Sequence, residues 1–236
     1  DIKGDLHAHT KATDGKNSLK EMAEAAKDKG YNYFAVTEHS KKVSMAGGLN
    51  EKDLEKQIRD IDALNKKMKN FRIIKGVEVD ILEDGTLDLS DDILKELDLV
   101  IGSVHYNMNL SKKKQTQRIL KAMENPYLNI IGHPTGRMIN KRKGYDLDMD
   151  AVMKEAADKG IFLEINSNPD RIDLNDKYIR KAQKAGVKLA ISTDAHAISN
   201  LDYIKYGVAQ ARRGWLGKKD IINTRSWREL KKLLKR

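Results

Sequence analysis

Seven short runs rich in apolar and β-branched residues recur along this chain of 236 residues, separated by longer stretches of helical period. That alternation confines the chain to repeated βα units around a parallel sheet, because parallel neighbours need a crossover and the crossover is ordinarily a helix. The runs cover roughly residues 2–7, 31–37, 72–79, 99–104, 129–132, 161–165 and 188–192. Between them Ser18 is placed to cap a helix running to Lys29 before Gly30, Asn50 one reaching Met68, and Ser90 a short one ending near Leu97. Further helices are expected at about residues 112–124, 148–159 and 175–185, and a basic amphipathic helix from Ser226 closes the chain. A chain of this length builds one core, so a single domain over residues 1–236 of α/β barrel size is the expectation. No low-complexity segment or Pro- or Gly-rich linker interrupts it.

The chain has no cysteine, which removes disulfides and every thiolate metal site; a metal here must be held by imidazole and carboxylate. No stretch of about 18 apolar residues occurs, and the opening Asp1-Ile2-Lys3-Gly4-Asp5 lacks the basic-then-apolar order of a secretion signal, so a soluble, cytoplasmic protein with no membrane partner is expected. Forty-five Lys and Arg against 35 Asp and Glu give a formal charge of +10, which admits polyanionic partners such as nucleic acid. The denser basic clusters are Lys112 to Lys114, Lys141-Arg142-Lys143, Arg212-Arg213 and the tail from Arg225 to Arg236. A basic run is usually a solvated face, and these gain meaning only if they surround a site.

The six histidines supply the candidate site. His7 and His9 end the first run, His39 follows the second, His105 the fourth, His133 the fifth and His196 the seventh; Glu78 ends the third and Asp194 the seventh. One histidine after a strand is more often a loop or core residue than a ligand. Here all six fall at the carboxyl ends of strands, where loops converge and β/α barrels place their active sites, and none falls on a helix. Only the sixth run, ending Glu164-Ile165-Asn166-Ser167-Asn168, offers no obvious ligand. Residues two apart in a strand share a side, so His7 and His9 face together, as do Asp194 and His196 if that segment stays extended. Glu78 has two oxygens and can bridge two cations about 3.5 to 4 Å apart. Asp5 and Asp80 sit two residues from the ligands, where they either orient imidazoles or make polar contacts within the barrel. Mixed imidazole and carboxylate ligation suits Zn, Mn or Fe better than Mg or Ca.

These residues fall in motifs that strongly resemble the PHP family, the polymerase and histidinol phosphatase superfamily. They read Asp5-Leu6-His7-Ala8-His9-Thr10, Thr37-Glu38-His39-Ser40, Gly76-Val77-Glu78-Val79-Asp80, Ser103-Val104-His105, Gly132-His133-Pro134 and Ser192-Thr193-Asp194-Ala195-His196. Within the family the chain looks most like the C-terminal domain of bacterial and archaeal family X DNA polymerases. That likeness rests on Gly132-His133-Pro134-Thr135-Gly136-Arg137, on Leu163-Glu164-Ile165-Asn166-Ser167-Asn168, and on Tyr206-Gly207 with Ala211-Arg212-Arg213-Gly214-Trp215. The resemblance implies a distorted seven-stranded (β/α)7 barrel, TIM-barrel-like, with two or three divalent metal ions. Carried over by position, it implies a first metal on His7, His9, Glu78 and Asp194, a second on Glu78, His105 and His133, and a third on Asp14, His39 and His196. Asp14 enters by resemblance alone, since Thr13-Asp14-Gly15 is otherwise a good turn. Glu38, beside a ligand, is expected to support it.

Metals sharing a water bring its pKa towards neutrality and stabilise the charge of in-line attack on phosphorus. Glu78 and Asp194 are the expected catalytic residues, holding the metal-bound hydroxide, and no separate nucleophile is evident. Arg137 and Arg171, just after the fifth and sixth runs, are candidate clamps for phosphate oxygens. Resemblance to the polymerase-linked domain implies hydrolysis at DNA 3′ ends: 3′-5′ exonuclease activity, with 3′-phosphatase or abasic-site processing beside it, and a fused or associated family X polymerase portion as partner. A small-molecule phosphatase of the histidinol phosphatase type is the alternative. A non-catalytic metal-binding module of a polymerase ranks last, because all nine ligand positions are kept.

Overall fold

The computed structural model describes residues 1–234. Seven parallel strands lie in sequence order: β1 (Gly4–Asp5), β2 (Tyr33–Val36), β3 (Arg72–Asp80), β4 (Leu99–Ser103), β5 (Ile130–Ile131), β6 (Phe162–Asn166) and β7 (Leu189–Ser192). Among the described residues eight α-helices accompany them: α1 (Leu19–Asp28), α2 (Glu51–Asn65), α3 (Asp91–Leu94), α4 (Lys112–Ala122), α5 (Met149–Lys159), α6 (Asp176–Lys184), α7 (Ile204–Arg213) and α8 (Trp227–Leu234). The expected α/β barrel is the fold observed. Ser18 and Asn50 cap α1 and α2, each in a reciprocal box with the third helical residue, Glu21 and Asp53. Ser90 takes the N-cap position of α3, but its hydroxyl makes no capping bond.

The barrel closes by an unusual seam. β1 keeps only two residues of the expected six, and no regular ladder joins it to β7. Asn223 fills the gap, donating through Nδ2 to the carbonyls of Gly4 and Ile191, both at 2.8 Å, and accepting from Ile191 N at 3.1 Å. Above it the Asp5 carboxylate takes the Thr193 amide at 3.0 Å and the Thr193 hydroxyl. Higher still, His9 N donates to Ala195 O at 2.8 Å. Asp5 is thus a polar contact of the barrel rather than a support for an imidazole.

Inside, Leu6, Tyr33, Ile74, Leu99, Ile101, Ile130 and Phe162 pack against Ile222, Leu230 and Leu234, so α8 stoppers the amino-terminal end of the barrel. Each such buried Leu contributes about 1.5–3 kcal/mol. Asn129 Nδ2 ties this helix down by donating to Leu234 O at 2.8 Å. Lys235 and Arg236 of the expected basic tail lie outside the described residues.

α7 was not expected from the sequence. Gly207 interrupts its periodic signal, and packing explains the glycine: a Cβ there would meet Ser167 Oγ at 2.1 Å and Ile191 Cγ2 at 2.6 Å. The helix can press onto β6 and β7 only where it has no side chain.

Candidate metal centre

The carboxyl ends of the strands bring all six histidines into one cluster, in which His7, His9, His39 and His133 are buried and His105 and His196 partly exposed. The His9 ring lies 4.3 Å from those of His39 and His196, between centroids, 5.3 Å separates His7 from His9, and 5.4 Å separates His105 from His133. Glu78, fully buried at the end of β3, is the hub. Its Oε1 lies 2.9 Å from His133 Nε2 and 3.4 Å from both His7 Nε2 and His105 Nε2, while its Oε2 lies 2.8 Å from His39 Nδ1 and 3.6 Å from His9 Nε2. Asp194 Oδ1 stands 3.3 Å from His9 Nε2, and Asp14 Oδ2 is 3.6 and 3.4 Å from Nε2 of His39 and His196.

Three sets of donors lie close enough together for each to hold one ion: His7, His9 and Asp194; His39, Glu78 and His105; and His9, Asp14, His39 and His196. They resemble the three expected sets but distribute His9 and His39 differently, and His133 joins through Glu78. The expectation that Asp194 and His196 share a side by extended geometry does not hold. Asp194 adopts a left-handed φ of 54°, so the chain turns there, and the two side chains reach the cluster from a bend.

The donor atoms are prepared for cations. Nε2 of His7, both ring nitrogens of His9 and Nδ1 of His133 are buried without a hydrogen-bond partner. Such orphans are costly in an apolar interior, and a cation relieves the cost by taking the one free lone pair that each neutral ring offers. The other nitrogen of three rings is fixed from behind. His7 Nδ1 donates to Glu164 Oε1 at 2.7 Å, His105 Nδ1 to Asp80 Oδ1 at 2.9 Å, and His196 Nδ1 to the carbonyl of Asp194 at 2.9 Å. An acceptor behind Nδ1 places the proton there and presents Nε2 bare. Asp80 therefore does orient an imidazole.

Electrostatics agree. Burial alone would raise the Glu78 carboxyl, but His7, His105 and His39 outweigh it and hold it well below the ordinary range. Burial, with His39 beside it, pushes His9 down to about 3. Against its own burial His39 is raised to about 10 by Glu78 and Asp14, and His196 to about 9 by Asp14 and Asp194. Neighbouring rings are thus driven apart in protonation, which is how a crowded set of imidazoles balances its charge without cations.

Glu164 is the residue that sequence reasoning missed. Fully buried in the strand thought to lack a ligand, it holds His7 through one oxygen and accepts through the other from the His133 amide at 2.6 Å and Asn166 Nδ2 at 3.2 Å. A carboxylate inside an otherwise apolar strand was the available signal. Glu38 has a comparable part in the Asp14 loop: it accepts from the Thr10 amide at 2.9 Å and from the hydroxyls of Thr10 and Thr13.

The cluster opens into a cleft of about 350 Å³ whose lining includes Arg171 and the loop residues Val43, Met45 and Ala46. Arg171 Nε lies 3.5 Å from Asp194 Oδ2, and its Nη1 is buried and unpartnered. Arg137 is not among the lining residues; its guanidinium donates to the carbonyls of Arg171, at 2.9 Å, and Ile172. The basic clusters divide by topology. Lys112 to Lys114 open α4 and Lys141 to Lys143 follow β5, on the metal face, whereas Arg212-Arg213 end α7 and the residues from Arg225 lead into α8 at the other end. No described helix is long and apolar enough to cross a membrane.

The PHP domain family model matches residues 5–168. The chain is 47% identical over 235 residues to the DNA polymerase/3′-5′ exonuclease PolX of Bacillus subtilis, spanning all of this chain but 41% of that protein. It is 32% identical over 231 residues to a probable phosphatase of Thermoanaerobacter sp., covering 93% of this chain and 89% of the relative. In fold it is similar to the histidinol phosphate phosphatase of Lactococcus lactis, solved with zinc, L-histidinol and phosphate, at a TM-score of 0.65 and 17% identity over 92% of this chain and 95% of that one. The chain therefore belongs to the PHP domain family and is a metal-dependent phosphoesterase.

Proposed function

We propose that this chain hydrolyses phosphodiester or phosphomonoester bonds at DNA 3′ ends as a 3′-5′ exonuclease, with a trinuclear centre of Zn, Mn or Fe held by His7, His9, Asp14, His39, Glu78, His105, His133, Asp194 and His196. The observation that carries it is the siting of Lys112–Lys114, at the start of α4, and of Lys143, after β5, on the same face as the donor cluster, where they can track a strand's phosphates; Lys141 is paired with Asp170 and Arg142 with the Gly136 carbonyl. The similarity to PolX over the chain's whole length supports the same reading. When bound, the cations supply Lewis-acid charge and a lowered water pKa. The protein's own part is orientation and charge: Glu78 and Asp194 fix the cluster, Glu164 and Asp80 hold His7 and His105 in the ligating tautomer, and Arg171 offers a free guanidinium nitrogen to a phosphate oxygen. Arg137 serves this reading through the backbone of the Arg171 loop rather than by touching phosphate.

The small-molecule reading is favoured by the fold likeness to histidinol phosphate phosphatase and by the relatives of the probable-phosphatase type. One assay separates the two. Metal-loaded protein is incubated with 3′-recessed duplex, single-stranded DNA and histidinol phosphate; stepwise shortening of the strands is expected, and phosphate release from the small ester alone would overturn the DNA reading.

A further inference from the structure

Every side chain lining the metal cleft is charged or an imidazole, except on one side. Among the described residues only Val43, Met45 and Ala46 give the cleft an apolar surface, and Met45 is 90% exposed. They come from the loop after β2, immediately beyond the ligand His39, while Arg171 comes from the loop after β6 across the barrel mouth.

That loop is held firmly. Ser40 N donates to Glu78 O at 3.0 Å and Leu49 N to His39 O at 2.8 Å, closing its base. Asp88 accepts from the Ser40 hydroxyl at 2.7 Å and the Lys42 amide at 2.8 Å. Its tip is a single 3-10 turn, Ser44–Ala46, ended by Gly47 at φ 71°. Gly48 passes so close to Ser40 O that a Cβ would stand 2.0 Å from it. The thioether is therefore displayed from a pinned backbone, and contact with it orders the Met45 side chain but no further part of the loop.

We infer that Met45 is a specificity-determining residue that packs against the face of the terminal nucleobase of the strand whose 3′ phosphodiester is being hydrolysed. This rests on the DNA-end reading above. Phosphate is drawn to the cations and to Arg171, so the organic part of the ester must leave the cluster over a wall, and the apolar wall is this one. A polarisable, unbranched thioether suits a flat aromatic face and accepts any of the four bases, since all present a π-surface. Cleavage without sequence preference, yet dependent on a base being present, is the consequence.

The test uses the metal-loaded chain and two single-stranded oligonucleotides that differ only at the 3′-terminal residue, thymidine in one and an abasic tetrahydrofuran in the other. The wild type should release the terminal residue about fivefold faster, in kcat/KM, from the thymidine end, equivalent to about 1 kcal/mol. Met45→Ala should abolish that preference by slowing the thymidine end alone, and Met45→Leu should retain most of it, with metal content unchanged in both. If Met45→Ala slows both ends equally, or if the preference survives it, the assignment is overturned while the DNA-end reading stands. If the wild type shortens neither strand yet hydrolyses histidinol phosphate, the DNA-end reading falls and the assignment with it.

Discussion

Replacing Glu164 by Gln tests whether a residue that touches no cation still governs the centre. The carboxylate serves three donors: the His7 ring at 2.7 Å, the His133 amide at 2.6 Å and the Asn166 side chain at 3.2 Å. Glutamine keeps one acceptor oxygen. If that oxygen serves His7, the new NH2 group confronts the His133 amide, donor against donor, and one buried N–H goes unpaired at about 1–3 kcal/mol. If it serves the amide, His7 loses the acceptor that keeps its proton on Nδ1. Either outcome disturbs a ring that the cluster uses, and supports of this kind are worth about 10- to 100-fold in metal affinity, or roughly 1.4–2.7 kcal/mol. Chelator competition with zinc or manganese reads the affinity, and urea unfolding of the metal-free protein reads the stability. Glu164→Gln should bind metal at least tenfold more weakly and unfold earlier. Wild-type affinity and stoichiometry in the variant would refute the claim that His7 is oriented from behind.

Two further expectations follow from the scaffold. Asn223→Ala removes three buried hydrogen bonds at the seam and should cost about 3 kcal/mol or more in urea unfolding; a change under about 0.5 kcal/mol would mean the seam is closed by other contacts. Asp173, fully buried, is raised by that burial to about 6 although it accepts from Thr135 and Gly136. A folded pKa above the unfolded one gives stability that is whole below about pH 4 and lost as pH rises through 6, so relative to Asp173→Asn the metal-free wild type should lose about 1 kcal/mol between pH 5 and pH 7. A difference between the two proteins that does not change with pH would exclude a raised Asp173.

What the sequence disclosed about the centre depended on strand ends. Once seven βα units are recognised, residues directly after strands must converge, which is why His7, His39, His105 and His133 could be placed without any distance. Asp194 escaped the same logic in detail, because an even spacing predicts a shared side only in extended backbone and the chain bends there. The arginines show a different limit. Arg137 and Arg171 both follow strands, and only the local backbone, which offers carbonyls to one guanidinium and leaves a nitrogen of the other free, tells them apart. Glu164 was hidden by an expectation that ligands come from strand tips, whereas it acts one layer deeper. α7 was hidden by a glycine whose reason lies in β6 and β7, far away in sequence.

The manner in which β1 meets β7 bears on how such a protein can change. A continuous ladder would distribute the load of closing the hoop over many equivalent rungs; here the side chains of Asn223 and Asp5 and a backbone bond from His9 to Ala195 act as the clasp. His7 and His9 hang from one side of that join, Asp194 and His196 from the other. The spacing between the two groups can therefore be retuned by substitutions at Asn223 or Asp5, neither of which lines the metal cleft, with every ligand left in place.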